Sequence, residues 1–151
     1  MAIEHYSLLS EEGWADSSVD QVFPANFWSD GGVVDAAEVE KALKGNLRIS
    51  TKVDTSFHVN GLRLAPGFSL PRRRSNLDGQ VIVLGGQFTI TGEEDGATVS
   101  GTIGPGEFWT ITAGTPHVMT AGPEGVTYLE TWSEPLEKLE MYWYEADWAD
   151  R

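Results

Sequence analysis

The sequence predicts an all-β protein with a single domain, and three observations carry this prediction. Its 151 residues include 17 glycines and seven prolines, which supply tight turns. Valine, isoleucine, threonine and phenylalanine stand in short runs, as is typical of strands. From Leu47 onward, apolar and polar residues alternate with a period of two. Short strands at this spacing are typical of a β-sandwich or β-barrel, and the length suffices for one buried core.

The N-terminal part predicts an arm followed by a short helix. Residues 1–34 are acidic, and the aromatic stretch 23–32 contains a proline and a glycine pair. We expect a loop here, with its aromatic side chains against the outside of a sheet or a partner subunit. Asp35 is a candidate N-cap, good helix formers follow it, and Gly45 is a stop signal. Residues 35–44 therefore predict a short helix.

The middle of the chain predicts the strands of the barrel. Leu47 and Ile49 begin an alternating run with one wet face. In the next run, we expect Arg63 to face water, which directs His58, Asn60, Leu62 and Leu64 inward. Further strands are predicted at about 80–84, 86–91, 97–103, 107–112, 117–121 and 126–132, with a polar hairpin tip at 92–96. The aromatic tail at 136–148 is either a last strand or a docking segment. The single domain, 1–151, thus divides into 1–46 (arm and helix), 47–132 (barrel) and 133–151 (C-terminal segment).

Composition excludes several classes of function. The net charge of -13 argues against nucleic acid or an anionic membrane as the main partner. The chain has no cysteine, which excludes disulfides, a thiolate nucleophile and cysteine-based metal sites. The N-terminus lacks a signal-peptide pattern, and no apolar run approaches the roughly 20 residues that span a bilayer. We therefore expect a soluble cytoplasmic protein.

Two glycine-anchored segments, 66–74 and 106–117, bracket the apolar strand at 80–84. The second reads Gly106, five residues, Thr112-Ala113-Gly114, two residues, His117. It resembles the second motif of the cupin superfamily, which reads Gly, five residues, Pro-x-Gly, two residues, His, three residues, Asn. The resemblance covers about 62–125 and implies a cupin-type jelly-roll β-barrel, here with a short N-terminal helix.

The first cupin motif lacks its metal ligands. In metal-bearing cupins this motif supplies two histidines and a glutamate or glutamine, and the second motif supplies one more histidine. The matching positions here are Arg72, Arg74 and Gly79, or, with a shift of one residue, Arg73, Ser75 and Gln80. Arginine has no usable lone pair and remains charged, so it cannot ligate a cation. The resemblance therefore implies no metal and no other cofactor, with His117 as the one matching ligand.

The arginines suggest a different chemistry. Arg72 and Arg74 would share one face of a strand, with Arg73 on the other. Two guanidinium groups aimed into the barrel would bind a carboxylate, phosphate or enolate-like oxygen and stabilise developing negative charge. Their charge would lower the pKa of His117 and keep it a neutral general base. We predict a metal-independent lyase, isomerase or cyclase that acts on a small anionic or enolisable substrate, with His117, Arg72 and Arg74 as catalytic residues. Candidate substrate-binding residues are Arg73, Gln80, Trp109, His58 and Asn60.

Three alternatives remain open. The arginines at 72–74 could serve only to pair with surface carboxylates such as Asp78, Glu93 or Glu94, and Trp109 would then be core packing. A weaker resemblance of the region around 23–32 to small iron-dependent cupins suggests a dioxygenase that cleaves a β-diketone or acylphenol. Its ligands would be His117, His58 and Gln80. A non-catalytic small-ligand-binding cupin is the third alternative.

We also expect a homodimer. Small cupins commonly pair strands across an apolar sheet face, and both ends of this chain are rich in aromatic residues. These are Phe23, Phe27, Trp28, Tyr142, Trp143 and Tyr144.

Overall fold

A computed structural model describes residues 3–22, 27–29 (backbone only) and 36–144. This part of the chain forms mostly β-structure, with two α-helices. The strands are β1 (Trp14–Asp16), β2 (Phe27–Ser29), β3 (Leu47–Ser50), β4 (Val59–Leu64), β5 (Ser69–Ser75), β6 (Gly79–Glu94), β7 (Ala97–Ile103), β8 (Phe108–Ile111), β9 (His117–Trp132) and β10 (Met141–Trp143). The helices are α1 (Val19–Val22) and α2 (Ala36–Leu43), and 3₁₀ turns occupy Thr55–Phe57 and Leu136–Lys138.

Two long strands, β6 and β9, organise the barrel. They pair antiparallel along most of their length, from Gly79 opposite Trp132 to Gly92 opposite His117. On its other edge, β9 pairs with β5 near its start and with β4 along its second half. In the same way β6 pairs with β8 near its start and with β7 near its end. The two long strands therefore connect both halves of the curled sheet.

Glycine permits the bend in these strands. Gly86 has a φ of 73°, and a Cβ at this position would lie 2.1 Å from the carbonyl oxygen of Gly125. The pairing of β6 with β9 shifts register on both sides of this point. The sequence predicted two strands in place of β6, at 80–84 and 86–91, and two in place of β9, at 117–121 and 126–132, because glycines interrupt the apolar pattern. In the structure they bend each strand without ending it.

The core fills the barrel interior with alternate residues of the long strands. Val83, Phe88 and Tyr128 have no exposed surface, and Met119 is 1% exposed. This alternation confirms the predicted all-β barrel. The predicted short helix is confirmed as α2, whose Val39 and Leu43 are buried, while Asp35, its candidate N-cap, lies outside the described residues. No helix in the described ranges is long and apolar enough to cross a membrane.

Arg63 was expected to face water, but in the structure it is buried. It is 8% exposed because the N-terminal segment covers the outer face of β4. Its Nη2 donates to the carbonyl oxygens of Leu8 and Ser10, at 2.9 Å each, and its Nη1 lies 3.1 Å from a carboxylate oxygen of Glu11. The guanidinium also lies 4.3 Å from the centre of the Trp14 ring. The alternation identified the outer face correctly, but it carried no information about the segment that covers that face.

A strand from the N-terminal part of the chain pairs with a strand from its C-terminal part. The backbone of β2 pairs in parallel with β10, so part of the stretch predicted as a loop is a strand. The same pairing confirms a last strand in the C-terminal tail at Met141–Trp143. Phe23 and the side chains of Phe27 and Trp28 lie outside the described residues. Trp143 is 2% exposed and is buried in its own chain, so the homodimer remains a prediction without this residue in its interface.

Candidate functional site

Strand β5 directs Arg73 into the barrel, and not Arg72 and Arg74. Leu70 and Pro71 are both buried, and the pairing of β5 with β9 is irregular between Leu70 and Arg73. This irregularity resets the alternation by one residue, so that Arg73 and Ser75 become the buried positions. The expectation that Arg72 and Arg74 point inward is therefore wrong, because simple alternation does not survive a bulge at a proline.

Arg72 and Arg74 lie on the outer face. Arg72 forms an ion pair with Glu93 and stacks over the Tyr144 ring at 4.5 Å. Arg74 stacks over the Tyr142 ring at 4.1 Å and donates to the hydroxyl of Tyr144. For Arg72, the structure thus confirms the alternative that this residue pairs with a surface carboxylate.

Arg73 forms a buried ion pair with Glu130 of β9. Its Nη2 lies 2.8 Å from Oε2 of Glu130, and the two residues are only 8% and 4% exposed. The guanidinium also lies 5.4 Å from the centre of the Trp143 ring and touches the sulfur of Met119. Because each charge is compensated by the other, the pair can exist in an apolar interior.

His117 is buried beside this pair. It is 5% exposed and stands directly opposite Arg73 in the pairing of β9 with β5. Its Nδ1 lies 2.9 Å from the carbonyl oxygen of Thr115. A carbonyl oxygen only accepts, so Nδ1 carries the proton and Nε2 of the neutral ring has a free lone pair. Burial, with the charge of Arg73 as the second cause, lowers the pKa of His117 from 6.5 to about 4.

Two neighbouring cavities adjoin these residues. A cavity of about 90 Å³ is lined by Arg73, Glu130 and Tyr128, by the polar residues Ser17, Gln21 and Asn60, and by apolar side chains. A cavity of about 160 Å³ is lined by His117 and Trp109, together with Ile90, Val99 and Ile111. The base and the buried cation are thus adjacent on paired strands but line different cavities.

Two side chains that line the smaller cavity carry a buried donor atom without a partner among the described residues. These donors are Nε of Arg73 and the hydroxyl of Tyr128. Tyr128 has no exposed surface, and its ring packs 4.6 Å from the Phe88 ring, centre to centre. Burial, reinforced by the charge of Glu130, raises the pKa of Tyr128, so its hydroxyl stays protonated. Unpartnered buried donors are unusual and indicate a place for an acceptor.

The remaining predicted site residues separate into two groups. Asn60 joins Arg73, and Trp109 joins His117. Gln80 points away from the barrel interior, and its Nε2 donates to Thr110 on the exposed side. His58 ends a 3₁₀ turn with a φ of 58° and lines neither cavity. Gln80 and His58 are therefore not part of the site. Gln80 occupies an outward-facing position of β6, and His58 lies in the turn that precedes β4.

Glu130 and Tyr128 are site residues that the sequence analysis missed. Both stand in the strand predicted at 126–132, and alternation from the buried Val126 places them on the inner face. A glutamate on an otherwise apolar inner face was a usable signal, because carboxylates are rarely buried without a partner.

Comparison with solved structures identifies the fold. Oxalate decarboxylase from Bacillus subtilis, a cupin, matches 62% of this chain with a TM-score of 0.51 and 20% sequence identity. The chain has a cupin-type fold. Lactobacillus farciminis oxalate decarboxylase, solved as a formate complex, also matches 62% of the chain, with a TM-score of 0.52 and 22% identity. The matches cover 26% and 30% of those proteins' chains. No protein-family model and no curated protein matches the sequence.

The part of the barrel that the structure describes does not contain the side chains of a cupin metal centre. The Bacillus subtilis enzyme contains Mn(II) centres. Here, the described residues contain no cluster of three or more histidine, cysteine, aspartate or glutamate side chains that could hold a metal ion. Where the first motif directs side chains inward, this chain has Arg73 and Ser75. The set His117, His58 and Gln80, considered for an iron-dependent dioxygenase, does not converge, so the donors do not fit a transition metal.

Proposed function

We propose that this protein is a metal-independent enzyme that performs acid–base chemistry on a small anionic or enolisable substrate in the cupin barrel. His117 is the general base. Arg73 takes the role first predicted for Arg72 and Arg74 and stabilises the oxyanion that develops during the reaction. One observation carries this proposal, namely that a buried neutral imidazole stands directly opposite a buried guanidinium on the neighbouring strand.

The two side chains line different cavities but stand opposite each other, so a substrate must reach from one cavity into the other to contact both. Directly opposite residues of an antiparallel pair have Cβ atoms about 5 Å apart on the same face, and both His117 and Arg73 are buried on the inner face. The bond from Nδ1 of His117 to Thr115 fixes the tautomer. Nε2 is therefore an available base throughout the pH range above about 4.

The chemistry follows from these positions. Nε2 of His117 takes a proton from the carbon next to the substrate carbonyl, so that a C–H bond breaks and an N–H bond forms. The electron pair moves into the carbonyl, and N–H groups of Arg73 stabilise the resulting oxyanion. Return of the proton to another carbon gives isomerisation, whereas departure of a leaving group gives a lyase reaction.

Hydrogen exchange tests this proposal without knowledge of the natural substrate. The protein is incubated in D₂O with a panel of small ketones and keto acids, with a chelator present, and NMR follows the loss of the proton next to the carbonyl. We expect hydrogen exchange with the wild-type protein and an exchange rate that is lower by about 100-fold or more with His117→Gln. Arg72→Ala, on the outer face of the same strand, is the matched control and should retain the wild-type rate. Equal exchange in all three proteins, or none with any compound, would contradict the proposal.

Non-catalytic ligand binding is a second candidate, and one observation favours it. His117 and the side chains that carry the unpartnered donors line separate cavities, so a ligand beside Arg73 need not contact His117. This candidate predicts saturable binding of a small molecule together with no hydrogen exchange.

A further inference from the structure

We propose that Glu130 makes the smaller cavity selective for the oxygen of an uncharged carbonyl compound over a carboxylate, and that Tyr128 and Arg73 donate the two hydrogen bonds that bind this oxygen. The inference rests on the proposed function, because it narrows the substrate of that site from anionic or enolisable to uncharged and enolisable.

The charge balance of the cavity is the first argument. Among the described residues that line it, Arg73 and Glu130 are the charged ones, and their 2.8 Å contact cancels their charges. A carboxylate in this space would add a negative charge close to Glu130 without a second cation to compensate it, and a buried uncompensated charge is costly. A carbonyl oxygen adds no charge when it binds.

The unpartnered donors are the second argument. Nε of Arg73 and the hydroxyl of Tyr128 are buried atoms of two side chains that line the same cavity, and neither atom has a partner in the described part of the chain. A carbonyl oxygen has two lone pairs and can accept from both donors. Such an acceptor removes the cost of two unsatisfied buried donors. In the enolate form the same oxygen becomes negative, and the same two donors stabilise it.

The size and lining of the cavity define the substrate further. The cavity is small, with a volume of about 90 Å³, whereas pockets for drug-sized ligands have volumes of roughly 300–1,000 Å³. Much of the remaining lining is apolar, including Leu62, Leu70 and Met141. The cavity therefore fits a short ketone or aldehyde whose alkyl groups contact these side chains.

Acetone and acetate form a matched pair of probes, because they have the same number of non-hydrogen atoms and differ in charge. NMR titration of protein labelled with ¹⁵N-arginine follows the Nε–H signal of Arg73. In the wild-type protein we expect acetone to shift this signal and to bind about tenfold more tightly than acetate, which is a difference of about 1.4 kcal/mol. In Glu130→Gln the preference should reverse, because the guanidinium charge is no longer cancelled. Tighter binding of acetate to the wild-type protein, an unchanged preference in Glu130→Gln, or no binding of either probe would overturn the inference.

Tyr128→Phe provides a test that does not depend on the folding of Glu130→Gln. The hydroxyl has no partner in the described part of the chain, so its removal should leave the unfolding midpoint unchanged and weaken acetone binding about tenfold. Wild-type affinity in a folded Tyr128→Phe protein would overturn the inference. Acetone binding without hydrogen exchange would contradict the proposed enzyme and leave the selectivity intact, so the two failures are distinguishable.

Discussion

Arg73 and Glu130 form an ion pair inside the barrel, with 2.8 Å between Nη2 and Oε2 and both side chains less than one tenth exposed. The pair joins β5 to β9 beside His117. It places a guanidinium, with its compensating carboxylate, in the interior of a fold that is shared with an Mn(II)-containing oxalate decarboxylase. The guanidinium, unlike a metal ion, brings its charge without requiring three or four protein ligands.

Removal of Arg73 should be far more damaging than removal of Arg72. Arg73→Met leaves Glu130 buried and unpaired, and we expect a loss of about 3–5 kcal/mol in the free energy of unfolding. Arg72→Met, on the exposed side of the same strand, should cost about 1 kcal/mol or less. The double variant Arg73→Met/Glu130→Leu should recover most of the loss. Guanidinium chloride denaturation measures all three, and equal costs for the two single variants would contradict the assignment of Arg73 to the interior.

His117 should make stability depend on pH. Its pKa is about 4 in the folded protein and 6.5 ordinarily, so between these values the unfolded chain binds a proton that the folded protein does not. Stability is therefore fully present above pH 6.5 and is lost as the pH falls towards 4, by about 3 kcal/mol in total. Because His117→Gln lacks this contribution, the stability difference between wild type and variant should change by that amount. A difference that does not vary with pH would contradict the burial of His117.

The approach of Gly86 to Gly125 predicts a contrast between two glycines. Both Gly86 and Gly96 have positive φ, of 73° and 78°. A Cβ at Gly86 would lie 2.1 Å from a backbone oxygen, whereas one at Gly96 would contact nothing within 4 Å. Gly96→Ala should cost about 1–2 kcal/mol for the backbone conformation alone. Gly86→Ala should cost about 4 kcal/mol or more because of the additional steric clash. Similar melting temperatures for the two variants would contradict the close approach of Gly86 to the backbone of Gly125.

Arg63 should hold the N-terminal segment on the barrel. Its side chain is one tenth exposed and donates to two backbone carbonyls of that segment, whereas Arg48 reaches the same Glu11 only at 3.8 Å. Arg63→Met should therefore accelerate limited proteolysis within residues 3–14, followed by mass spectrometry of the fragments. Arg48→Met is the control and should be cleaved at the wild-type rate. Equal cleavage of both variants would contradict this role of Arg63.

More of the fold than of the site could be predicted from the sequence. The spacing from Gly106 to His117 and the alternation from Leu47 indicated the barrel, because such patterns depend on local geometry. The orientation of the arginines could not be predicted by counting, since a bulge next to Pro71 shifts the alternation by one residue. The burial of Arg63 depends on a segment far away in the sequence, which alternation along β4 does not reveal.

The ion pair between Arg73 and Glu130 could not be predicted from the two cupin motifs either. The two residues are 57 positions apart in the chain, and Glu130 stands outside both cupin motifs. Its place on the inner face was predictable from the strand at 126–132, but its partner was not, because the wrong arginines were assigned to the interior. A pairing between distant strands requires the register of both strands, and the bulge changed one of them.

The most direct test of the central claim is the metal content of the untagged protein, measured by inductively coupled plasma mass spectrometry after incubation with Mn(II), Fe(II) and Zn(II). The claim is that an arginine–glutamate pair occupies the interior where metal-bearing cupins hold an ion. It predicts far less than one equivalent of each metal, with no change in His117→Ala. One equivalent of metal bound by the wild-type protein and lost in His117→Ala would contradict it.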